Sequence, residues 1–136
     1  MYTDEEEKII LEAAKSVLQQ NSWIPFDIYK QNLSATGGKA EVLETDRFEP
    51  NYYYVVNIIA AYEEGSQVSH DLTIGYVSSG FFHILEREQP AEDMTTEWNG
   101  QIILHEGDQI RAVFNQSTNG DKLYLFANGY KIPTKI

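Results

Sequence analysis

The stretch Trp98–Ile132 constrains this chain most, because it sets three apolar runs between turn signals that admit few connections. Asn99-Gly100 interrupts the first run, Glu106-Gly107-Asp108 divides it from the second, and Thr118-Asn119-Gly120-Asp121 divides the second from the third. Asn-Gly and Gly-Asp supply the positive-φ and side-chain-bonded residues that tight turns between antiparallel strands require. Within the runs the period is two. Ile110, Ala112 and Phe114 share one face, while Gln109, Arg111, Val113 and Asn115 share the other. The stretch reads as a β-meander.

Upstream, the same punctuation continues. Ala40–Thr45, Asp71–Val77 and Phe81–Glu86 read as short strands, with turns at Glu63-Glu64-Gly65-Ser66 and Ser78-Ser79-Gly80. Glu88–Glu97 is a polar, acidic loop. Trp23–Lys30 is apolar but broken by Pro25, so it reads as an extended arm or an edge strand. Gln31–Lys39 is a loop ending in Gly37-Gly38. Residues 3 to about 20 read as a helix, with a Thr3/Glu6 capping box and Asp4, Glu5, Glu6 and Glu7 on the positive end of its dipole. One helix and about eight short strands, spaced about ten residues apart, point to a mainly β chain. The expected fold is an antiparallel β-sandwich, jelly-roll-like, with one N-terminal α-helix: helix in 1–22, extended arm and loop in 23–39, sandwich in 40–136.

Tyr52–Glu63 is the longest apolar run. Its even positions (Tyr52, Tyr54, Val56, Ile58, Ala60, Tyr62) are expected to face the core, which leaves Tyr53, Val55, Ile59 and Ala61 apolar on the outward face. Tyr124 and Phe126, out of step with Leu123 and Leu125, repeat this second apolar face, as does Ile103. Tyr53, Val55, Ile59, Tyr124 and Phe126 therefore form a candidate self-association face, and a homo-oligomer, with a trimer favoured, is expected. The alternative is that the helix and the Trp23–Lys30 arm cover that face. The helix stripe, including Ile10, Ala14 and Val17, has the matching choice between its own sheet and a neighbouring protein.

A formal net charge of −11 excludes nucleic acid and an anionic membrane surface, which need clustered Lys and Arg. There is no cysteine, hence no disulfide and no thiolate metal site. No apolar run approaches the roughly 20 residues of a membrane span. The acidic N-terminus is the opposite of a signal peptide, so synthesis in the cytoplasm is expected. His70, His83 and His105 lack metal-ligand spacing, and Glu86 with Glu88 is a carboxylate pair of the kind a 21-acid chain contains by chance. Ser78-Ser79-Gly80 is a turn rather than a nucleophile elbow, and Gly37-Gly38-Lys39 lacks phosphate-loop spacing. Asn119 and Asp121 alone do not make a calcium sphere. No catalytic residue, metal or cofactor is expected. Aromatics adjoining turns (Phe81, Phe82, Trp98 and Tyr130) are the rings available to stack on a sugar.

The C-terminal pattern W-x-G-x-I-x-L-x-x-G-D-x-I-x-A-x-F, then G-D-x-L-x-L and N-G-Y-x-I, runs from Trp98 to Ile132. It is carried by Trp98, Gly100, Ile102, Leu104, Gly107, Asp108, Ile110, Ala112 and Phe114, then Gly120, Asp121, Leu123, Leu125, Asn128, Gly129, Tyr130 and Ile132. In this it resembles the small β-sandwich accessory virion proteins of tailed bacteriophages, similar to the shoulder or linking domains of their receptor-binding proteins. The resemblance implies a structural or adaptor protein of tail, baseplate, neck or head, without enzymatic activity. It would be assembled in the host cytoplasm and carried in the virion among other phage structural proteins. A carbohydrate- or receptor-binding module, taking a surface glycan, is the alternative the resemblance leaves open.

Overall fold

In a computed structural model of the chain, residues 2–18, 23–65, 71–89 and 95–134 are described, with the side chains of all but 15–18. Helix α1 spans Asp4–Leu18. The strands among the described residues are β1 Ile24–Asn32, β2 Glu41–Glu44, β3 Tyr52–Glu64, β4 Leu72–Ser78, β5 Phe81–Glu88, β6 Thr96–Leu104, β7 Gln109–Phe114 and β8 Lys122–Pro133. They form two four-stranded antiparallel sheets, in the orders β1-β8-β3-β6 and β2-β7-β4-β5. β1 pairs with β8, β2 with β7, β3 with β6 and β4 with β5, so the chain is one long hairpin rolled into two sheets. That order is the jelly roll. Gly107 has φ 85° and Gly120 φ 88°, a region closed to most side chains, as their turns require, whereas Asn99-Gly100 lies inside β6 and makes no turn. The Trp23–Lys30 segment takes the edge-strand alternative, since Pro25 lies on β1 at the margin of its sheet. The sandwich thus begins at Ile24 rather than at residue 40.

The core lies between the sheets. Ile110, Ala112 and Phe114 of β7 face it, as their alternation requires, opposite Leu123, Leu125 and Ala127 of β8. On β3 the alternation breaks. Val56 lies opposite Gly129 and Ile58 opposite Asn128, so Asn57 has no partner residue on β8 and forms a bulge. An extra residue exchanges the two faces of a strand. Tyr54 and Val56 are buried before the bulge, but Ile59, Ala61 and Glu63 are the buried positions after it. The expectation that Ile58, Ala60 and Tyr62 face the core is therefore corrected, and Ile59 moves from the candidate outer face into the core.

Helix α1 starts where the capping signal puts it. The Glu6 N–H donates to Thr3 Oγ1 at 3.1 Å, and the Thr3 hydroxyl donates to Glu6 Oε1 at 2.9 Å. The reciprocal arm of the box thus ends on the hydroxyl rather than on the backbone. The helix lies on the outer face of the first sheet. Ala14 is buried with Val55 of β3, Ile103 of β6 and Ile132 of β8, flanked by Tyr2, Ile10, Leu11, Trp23 and Tyr53. Small Ala14 lets the helix backbone approach the sheet, and Trp23 Nε1–H donates to the Ala14 carbonyl, fastening the arm to the helix. Full burial of side chains such as Val55 and Ile103 stabilises by about 1.5–3 kcal/mol each.

Two measurements check this packing. A Cβ on Gly129 would sit 1.9 Å from the Val55 carbonyl oxygen, so Gly129→Ala is expected to cost about 3 kcal/mol in urea unfolding. Ile103→Ala, beneath the helix, is expected to cost about 2–5 kcal/mol. The Tyr2 phenol is pushed up to about 12 by burial, then by the charge of Tyr53 and a hydrogen bond with it. Its contribution is complete below the ordinary value of 10.0 and is lost as pH rises towards about 12. Stability should fall over that window, and Tyr2→Phe should flatten part of the slope.

Candidate functional site

With α1 on one half of the first sheet, no described helix or strand lies over the other half of its outer face. Register defines three rows there, each about 7 Å from the next. Asp27, Asn128 and Ile58 make the row nearest the helix, Tyr29, Phe126 and Ala60 the next, and Gln31, Tyr124 and Tyr62 the last. These residues face outward because their neighbours Leu123, Leu125 and Ala127 on β8 point into the core.

The two outer rows form an aromatic strip. Tyr29 lies 5.0 Å from Phe126 and 6.2 Å from Tyr124, centroid to centroid. Tyr62 stacks on Tyr124 at 5.9 Å with planes 21° apart. Tyr29 is 50 % exposed and Phe126 44 % exposed, a high fraction for large apolar rings. The polar ends are anchored at the rim, where the Tyr124 hydroxyl donates to Glu64 Oε2 at 3.1 Å and the Tyr29 hydroxyl to Gln31 Oε1 at 2.9 Å. Burial, the bond to Glu64 and that carboxylate's charge push the Tyr124 phenol up. The six residues of the two rows include no acidic or basic side chain; Glu64 and Glu97 stand at their ends.

Of the five residues expected to make the self-association face, Tyr124 and Phe126 lie on this strip. Tyr53 and Val55 lie under the chain's own helix, and Ile59 lies in the core. The helix residues Ile10 and Ala14 likewise pack on their own sheet rather than being left for a partner, the first of the two alternatives for the stripe; the Val17 side chain falls outside the described residues. Sequence reasoning missed Tyr29 and placed Tyr62 on the wrong face. The signal for Tyr29 was its alternation with Phe26, Ile28 and Lys30 on an edge strand, obscured by Pro25.

The loop-tip rings do not converge. Phe81 is 71 % exposed, Phe82 lies under the Arg111 guanidinium at 5.4 Å, and Trp98 packs against the core. Tyr130 stands at the boundary of the open half, 5.1 Å from Trp23. Among the described residues no group of three or more His, Asp or Glu is placed to hold a metal. His83 stacks on Tyr76 at 4.7 Å, and His70 lies outside the described residues. Glu86 and Glu88 lie opposite Ile74 and Leu72, on one side of β5. Asp121 is buried and belongs to no group of three or more His, Asp or Glu among the described residues. His105 pairs with Asp108 rather than Glu106: buried Asp108 Oδ2 accepts from Nδ1 at 2.7 Å and from the His105 backbone N–H at 3.0 Å, closing the β6–β7 turn. No protein-family model matches the chain, and no curated protein matches it in sequence.

The Asp108 geometry is that of a turn clamp. Asp108→Ala strips the part-buried His105 N–H of its acceptor and is expected to lower unfolding free energy by about 1–3 kcal/mol, read by urea titration.

Proposed function

We propose that this chain is a non-enzymatic structural or adaptor component of a phage particle, and that it self-associates through the aromatic strip of the first sheet. The observation that carries the reading is the strip itself. A molecule of net charge −11 repels its own copies over most of its surface, and Tyr29, Tyr62, Tyr124 and Phe126 form a contiguous area without charge. Every copy presents the same uncharged rings, so copies can cluster them about a twofold or threefold axis. Against the helix-docking reading, α1 is engaged by Val55, Ile103 and Ile132 of its own chain. The jelly roll supplies the rigid frame, although the frame alone assigns no function. The phage setting rests on the resemblance carried by residues 98–132.

Sedimentation velocity over a dilution series tests the association. The wild type is expected to form a closed oligomer, a trimer being favoured. Phe126→Ser or Tyr124→Ser is expected to raise the dissociation constant at least about tenfold, which corresponds to about 1.4 kcal/mol. A wild type that stays monomeric at the highest concentrations removes the reading. The particle setting is checked separately, by peptide mass spectrometry of purified virions from a phage carrying the coding sequence.

A further inference from the structure

The bulge on β3 has a consequence on the outer face. Between the helix-covered half and the aromatic strip lies a hollow of about 280 Å³, lined among others by Pro25, Asp27, Asn57, Asn128 and Tyr130. Asn57 reaches it because it is the residue without a partner on β8. Asn128 and Asp27 face each other across the β1–β8 ladder. Asn57 and Asn128 are half-buried, yet the side chains of Asn57, Asn128 and Asp27 make no hydrogen bond within the described residues. Three side chains with unused hydrogen-bonding capacity thus converge on one small concavity. Asp27 is exposed, and the three side chains present their polar groups together at the surface of the hollow.

The chemistry selects the occupant. Each carboxamide offers an acceptor and two donors, and the carboxylate offers acceptors only. Adjacent hydroxyls of a sugar ring both donate and accept, which matches a carboxylate flanked by two carboxamides. Tyr130, with Trp23 5.1 Å behind it, and the ring of Pro25 provide flat apolar walls for the C–H face of a pyranose. An anionic ligand is disfavoured by Asp27 and by the −11 charge of the chain. A small ammonium ion would use the carboxylate and the carboxamide oxygens but give the carboxamide N–H donors no acceptor. The volume suits a single ring, below the range of drug-sized sites.

We propose that this hollow binds one ring of a neutral saccharide, with Asp27 accepting from a hydroxyl, Asn57 and Asn128 pairing with neighbouring hydroxyls, and Tyr130 packing on the C–H face. The site is separate from the strip and does not depend on self-association. Glucose, galactose, mannose and N-acetylglucosamine, each to about 50 mM, are titrated into the ¹⁵N-labelled full chain. N-acetylneuraminate and choline serve as the anionic and cationic contrasts. The expected result is saturable shifting of the Asn57 and Asn128 side-chain amide signals with at least one of the four sugars. Asn128→Ala and Asp27→Ala are expected to weaken that binding at least about tenfold, and Tyr124→Ser to leave it intact. If Asn128→Ala fails to fold, the isosteric Asn128→Asp carries the same expectation. The proposal is overturned if none of the four sugars shifts those signals, if the shifts survive in the folded variants, or if only the contrasts produce them.

Discussion

The unopposed residue Asn57 is the constraint on which the rest of this molecule turns. Before it, β3 sends Tyr54 and Val56 inward and Tyr53 and Val55 outward; after it, Ile59 and Ala61 go inward. A single extra residue therefore lets one long strand feed two different contacts. Its first half lines the helix seat with Val55, and its second half fills the core with Ile59 while turning Tyr62 to the surface. Gly129 completes the device on β8, because the Val55 carbonyl lies where any side chain would start.

The division of the first sheet's outer face follows from this. Helix α1 closes one half with Ala14 against Val55, Ile103 and Ile132, and Trp23 ties the arm to it. The open half keeps two kinds of surface side by side. Its uncharged rings are suited to a second copy, and its bulge hollow carries a carboxylate and two carboxamides. The acidity of the remaining surface makes the uncharged area stand out, since association is opposed nearly everywhere else.

The sequence made the architecture legible because its signals were local. Turn glycines, a period of two on β7 and β8, and the Thr3/Glu6 cap each depend on residues a few positions apart. Two-sided apolarity on β3, β6 and β8 was legible as well, and it pointed to a second apolar face on the first sheet. What covers it was not, because Ile10 and Ala14 suit their own sheet as well as a foreign one. The face of Ile59 was unreadable for a different reason. A bulge is set by pairing with β8 and β6, and nothing local to Asn57 announces it. The hollow of Asp27, Asn57 and Asn128 draws on three separate strands, so no spacing in the chain could bring it forward.

Tyrosine nitration mapped by mass spectrometry, at protein concentrations spanning dilute and concentrated solution, tests the divided face most directly. Tyr53, under the helix, should resist nitration at every concentration. Tyr29 and Tyr124 should react in dilute solution and become protected as concentration rises. Nitration of Tyr53 as readily as Tyr29 would contradict a helix seated on its own sheet, and reactivity of Tyr29 and Tyr124 that ignores concentration would contradict the strip as a contact between copies.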